Sequence, residues 1–206
     1  GLNRIEVYAL QTQTFLAPIP VGAGPKGMDF TPDGTLLYVA NNGEHTISVV
    51  NLATRTELRK ISIPFDTNND DRPASIAIGN NGRALITTEG CCTSGFNGSV
   101  MQLVLATDVA SRRTGYGTVN GLTSRGRLVP SGDRSRIIVF ETGSSGGDTT
   151  VYNAARNLFS TPLRIQTFPF YAAVNHTGSR MLVHGHAMDT SLSVTGMTSA
   201  APGAAR

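Results

Sequence analysis

The sequence has no tryptophan, only two lysines and two cysteines among 206 residues, and a charged content of 15%. Each scarcity removes a class of reading. Aromatics amount to 6%, so stacking platforms for single-stranded nucleic acid are few. The net charge is +3, but the basic residues are scattered singly, with adjacent cations only at Arg59-Lys60 and Arg112-Arg113. Phosphate-backbone affinity needs a clustered basic surface, so nucleic acid is set aside as a partner. No apolar run is long enough to cross a bilayer and no signal-peptide pattern is present, so membrane insertion is not expected. The chain starts at Gly1 rather than Met, which reads as a mature product or an excised segment. Scarce Lys with abundant Arg, Thr and Ser fits an exported protein, extracellular, periplasmic or at the cell surface. The cysteines, Cys91 and Cys92, are adjacent, so they cannot staple distant segments, and two thiolates alone make a poor zinc site. They read either as small loop residues or as a vicinal disulfide in an oxidising compartment.

What is plentiful is glycine, 23 residues, and it recurs with a period. "PKGMDFTPDGTLLYV" begins at Pro25, "PASIAIGNNGRALIT" at Pro73 and "PFYAAVNHTGSRMLV" at Pro169, each with a turn glycine nine residues on. A degenerate copy, "RGRLVPSGDRSRIIV", puts Arg125 and Arg134 in those two places. The turn positions 34, 82, 134 and 178 are 48, 52 and 44 apart, near the length of a propeller blade. A second half repeats as well: "TISVVNLAT" at 46–54, "SVMQLVLAT" at 99–107, "TTVYNAAR" at 149–156, "RIEVYALQT" at 4–12 and "SLSV" at 191–194. Period-2 alternation between Asp/Gly turns predicts four strands per unit, about 27–31, 36–41, 46–52 and 57–63 in the first.

The stretch "PKGMDFTPDGTLLYVANNGEHTISVVNLATRTELRKI" resembles the YVTN β-propeller repeat, strongly over 25–63, clearly over 73–116 and more weakly over 125–165 and 169–195. The resemblance implies an all-β propeller of four-stranded antiparallel blades, in a family that is usually seven-bladed and found in exported or surface proteins of bacteria and archaea. The expected organisation is a half blade at 1–22, blades at 23–66, 67–116 and 117–166, an incomplete three-stranded blade at 167–195, and a linker or frayed tail at 196–206. About four to five blades are then present, a partial ring. A four-bladed ring closed by the N-terminal pair would leave "SLSV" as a surplus strand.

Chemistry on such a scaffold is expected in the variable loops 41–46, 89–98, 141–149 and 184–190. Glu89 and Glu141 fall at one repeat position, where the first blade has Asn41. They read as a cation or acid–base pair, or as carboxylates bonded within their own loops. "DTNNDDRP" sets Asp66, Asn68 and Asp70 at calcium-loop spacing, but Asp71 stands where that loop needs Gly and Ala77 where it needs Glu. A solvated acidic turn is the alternative, and no cofactor beyond this weak calcium candidate is expected. "HGHAMD" places His184 and His186 on one side of a strand if it is extended, with Asp189 nearby and His45 in another blade's loop. Phe96 reads as an exposed contact residue or as cover for a blade edge. Sequons stand at Asn97 and Asn175. No serine-hydrolase elbow, P-loop, zinc-protease or haem-attachment motif occurs.

These observations favour a non-catalytic binding or scaffold module. Its partner would be a protein or carbohydrate surface, or the remaining blades of the same propeller. The resemblance also admits a lactonase-like hydrolase and a propeller subunit of a quinoprotein or haem dehydrogenase.

Overall fold

The computed structural model describes residues 2–64, 71–90, 98–114, 126–142, 147–165, 171–183 and 185–197. Among them every regular element is a strand, and each sheet is an antiparallel meander in chain order. An N-terminal half-blade pairs β1 (Arg4–Ala9) with β2 (Thr14–Pro20). The first full blade holds β3 (Pro25–Phe30), β4 (Leu36–Asn41), β5 (Thr46–Asn51) and β6 (Thr56–Ser62). The second holds β7 (Arg72–Ile78), β8 (Arg83–Glu89), β9 (Val100–Val104) and β10 (Val109–Arg112). The third holds β11 (Gly126–Pro130), β12 (Arg136–Glu141) and β13 (Gly147–Asn153). Its outer strand is broken into β14 (Leu158–Phe159) and β15 (Leu163–Ile165), both on β13. The fourth holds β16 (Ala172–Val174), β17 (Arg180–Val183), β18 (His186–Asp189) and β19 (Val194–Met197).

The fourth blade corrects two expectations. Gly185 has φ of +81°, and Val183 pairs with His186, so the chain reverses between β17 and β18. "HAMD" is therefore the third strand, "SLSV" spans the following turn, and the sheet has four strands rather than three.

A blade cannot bury both faces alone, and here each buries them on its neighbours. Ile5 and Val7 of the half-blade cover Leu37, Val39 and Val50. Tyr38, Ile47 and Val49 meet Ile76, Ile78 and Ile86 across the next seam. Leu85 and Val100 meet Ile137, Val139 and Tyr152, and Ile138 and Phe140 meet Met181, Val183 and Met188. Each such buried aliphatic contributes about 1.5–3 kcal/mol. The inner strands approach closely: a Cβ on Gly27 would lie 2.6 Å from the Ala74 carbonyl oxygen and 2.8 Å from Ser75 Cα.

The turns explain the repeat. The third-to-fourth-strand turn puts one non-glycine residue at left-handed φ in every sheet: Gln13, Arg55, Asp108, Asn157 and Leu192. The match at Gln13 marks β1 and β2 as the third and fourth strands of a blade. The first hairpin uses Gly34, Gly82 and Gly178 at φ near +70°, and Arg134 holds the same conformation at +59°.

Candidate functional site

The second strands end on the loop face, where the sequence placed its candidates. In the first, third and fourth blades the preceding hairpin closes over five residues, Thr31 N to Leu36 O, Ser131 N to Arg136 O and Asn175 N to Arg180 O. In the second it closes one residue sooner, Gly79 N to Arg83 O at 2.8 Å. This shifts β8 by one register position, so Thr88, not Glu89, opposes Pro73 as Asn41 opposes Pro25. A one-residue slip turns a side chain to the other face. Glu89 and Glu141 therefore do not share a repeat position.

Glu89 is drawn instead into an ion-pair set with Lys26 of β3 and Arg127 of β11, the latter at 3.6 Å. It joins the first and third blades across the second. Residues 91–97 of its own loop, where the alternative placed its hydrogen bonds, lie outside the described residues.

The shared position is a buried polar seat in each of the first three blades. In the first, the Asn41 side-chain amide donates to Thr46 Oγ1 (2.9 Å) and Ser48 Oγ (2.8 Å), and Ser48 Oγ accepts from Gly22 N–H. Glu44 accepts from Ala23 N–H at 2.9 Å and from Thr46 Oγ1 at 2.7 Å, and pairs with Lys60 at 2.9 Å. Its carboxyl is held down to about 2, first by the Ala23 amide, then by Thr46 and Lys60. In the second blade Asp71, 0% exposed, accepts from Thr88 Oγ1 (2.7 Å) and Ser99 Oγ (2.8 Å) and pairs with Arg112. Lys60 and Arg112 face corresponding residues of the third strand, Ser48 and Met101, so both seats are neutralised from the outer strand. The third blade seats Glu141, 3% exposed, and its Oε1 has no hydrogen-bond partner. There the outer strand is broken and supplies no cation at that place.

The remaining candidates disperse. His186 opens β18 and His45 sits at left-handed φ in a loop of the first blade. The pairing expected of His186 with His184 involves a residue outside the described ones. His184 itself, Phe96, Cys91, Cys92, Asp66, Asn68 and Asp70 lie outside the described residues. Among the described residues no three His, Cys, Asp or Glu side chains are grouped to hold a metal.

On the opposite face a second three-blade clamp escaped sequence reasoning. The Arg134 guanidinium donates to both Asp29 oxygens at 2.6 and 3.0 Å and to Ile78 O at 3.0 Å, while Ile78 N–H donates to Asp29 at 2.7 Å. Its one signal was an arginine standing where the other copies have a turn glycine. The open end expected of a partial ring lies at the N-terminal half-blade. Beside the β1 edge lies a cleft of about 300 Å³ lined by Arg4, Ile5, Lys26, Gly27, Met28 and Val39.

No protein-family model matches the chain. No curated protein matches it either. Solved structures do. The hydrazine synthase of Kuenenia stuttgartiensis is similar at 18% identity and TM-score 0.68, over 88% of this chain and 49% of that one. The Dos1 propeller is similar at 12% identity and TM-score 0.65, over 91% and 50%. The β-propeller domain of Myceliophteria thermophila Cps50 (Swd1) is similar at 11% and 0.63, over 90% and 57%. The chain thus spans about half the length of these structures. At such identities the likeness shows the fold alone: radially stacked antiparallel sheets, a partial β-propeller.

Proposed function

We propose that this chain is part of a YVTN-type propeller serving as a non-catalytic binding scaffold of an exported bacterial protein. Its partner, a protein or carbohydrate surface, meets the loop face. Further blades of the same propeller occupy the open end beside β1. The observation that carries the reading is the engagement of Glu89 by Lys26 and Arg127, which commits the foremost acid–base candidate to holding three blades together. A carboxylate held between cations of two neighbouring blades is engaged in joining blades rather than presented to a substrate.

The Glu89→Gln variant tests this. A scaffold predicts no hydrolysis of a simple sugar lactone above buffer by either form, and a melting temperature about 2–4 °C lower in the variant. Lactone turnover by the native chain that disappears in Glu89→Gln at unchanged melting temperature would replace the scaffold by a hydrolase.

A further inference from the structure

We propose that the seam between the third and fourth blades binds a small ligand bearing an oxyanion, a phosphate monoester or carboxylate, on a compact apolar body. The break in the third blade's outer strand creates the space. Ser160 Oγ accepts the Val151 N–H at 3.0 Å, and Thr150 Oγ1 donates to Ser160 O, so the chain leaves the sheet between β14 and β15. The cavity at this point is about 380 Å³, within the size range of small-molecule sites. Its apolar lining is Val151, Leu158 and Phe159, and its polar lining includes Arg136, Arg156 and Asn153.

The uncommitted polar groups there are mainly donors. Among the described residues neither Arg136 nor Arg156 has an ion-pair partner; Arg136 donates once, to Ser135 O at 2.9 Å. The Asn153 oxygen accepts the Arg156 N–H, which leaves its amide hydrogens free. Arg136 is also pre-positioned, because its stem lies where a Cβ on Gly178 would be, 2.5 Å from its Cγ. Asp189, beside the lining residue Thr190, spends Oδ1 on its own turn, accepting from Ser191 N–H, Ser191 Oγ and Ser193 N–H.

The other seams show what is missing here. Between the first and second blades Arg59 meets the left-handed turn residue Asp108 in a two-point pair. Between the second and third, Arg113 donates to the Asn157 carbonyl at 2.8 Å and lies over the Phe159 ring. In the fourth blade the same turn position is Leu192, which is buried, so the turn offers no side-chain carboxylate or amide there. Two guanidiniums over an apolar floor recognise an oxyanion with an attached ring or short aliphatic group.

Calorimetric titration with phenyl phosphate and, separately, benzoate tests the site, with phenol as the uncharged control. Phenyl phosphate binding well above benzoate assigns a phosphate ester; the reverse assigns a carboxylate. Loss of one charged hydrogen-bond donor should weaken the preferred probe about ten-fold or more in Arg156→Gln, which lies in an exposed turn, and at least as much in Arg136→Gln. Arg4→Gln, at the far end of the chain, should change nothing. Failure of both anions to bind at millimolar concentration, binding no tighter than phenol, or binding that survives Arg156→Gln in a normally melting protein would overturn the proposal.

Discussion

Met28 and Phe30 of β3 are 52% and 47% exposed, whereas Ile76 and Ile78 at the corresponding places of β7 are 4% and 0% exposed. The two strands have the same role and pattern. What differs is the neighbour: β7 faces the complete first blade, while β3 faces a half-blade made only of third and fourth strands. Burial in this architecture is therefore a property of the seam, not of the strand. The outer part of the first seam is closed by Ile5 and Val7 against Leu37 and Val39, and the inner part is open.

The comparison breaks if equivalent truncations cost the same. Ile78→Ala should lower stability by about 3 kcal/mol, since the cavity it leaves is walled by both blades, and Phe30→Ala by less than about 1 kcal/mol. Chemical denaturation of the pair reads the difference directly. Gly27→Ala comes next. Its new Cβ would meet backbone of Ala74 and Ser75, which cannot swing aside, so about 2 kcal/mol should be lost although the residue itself lies on the open-sided strand. A neutral result would mean that β3 and β7 are less closely apposed.

A smaller contrast separates the two members of the Asp29–Arg134 clamp. Asp29→Ala strands a half-buried guanidinium and the Ile78 N–H, and should cost about 1–3 kcal/mol. Arg134→Gly removes the same ion pair but restores glycine at φ of +59°, so it should cost about 1 kcal/mol less, as thermal melts would show. The smallest effect belongs to Glu44. Its carboxyl titrates near 2 in the folded chain against an ordinary value of 4.5, so its contribution is complete above pH 4.5 and fades as the pH falls toward 2. The melting-temperature gap between the native chain and Glu44→Gln, about 2–4 °C at neutral pH, should close over that interval.

The repeat was legible because its turns are written in residue types. Gly34, Gly82 and Gly178 fix the hairpins, and the first blade's strands fall within two residues of those read from alternation. What escaped depends on single residues with no periodic mark. The shorter hairpin at 79–83 keeps the nine-residue Pro-to-Gly spacing, so the slip that separates Glu89 from Glu141 is invisible until strands are paired. The turn at Gly185 was not separated from the strand after it, because 184–190 aligns with the variable loops of the other blades and a lone glycine carries no periodic mark. Asp71 was read only as a defect in a calcium loop, whereas burial against Thr88, Ser99 and Arg112 gives it a structural role. Asp29 and Arg134 are 105 residues apart, beyond any local pattern.

Amide hydrogen exchange followed by mass spectrometry tests the central claim, that completeness of the neighbouring blade sets the order of each seam. Peptides from β4 and β5 and from β8 and β9 should exchange slowest. Those from β1 and β2 should exchange orders of magnitude faster, because opening there disrupts a two-stranded sheet with an unpaired edge. Equal protection of the half-blade and the second blade would contradict the account.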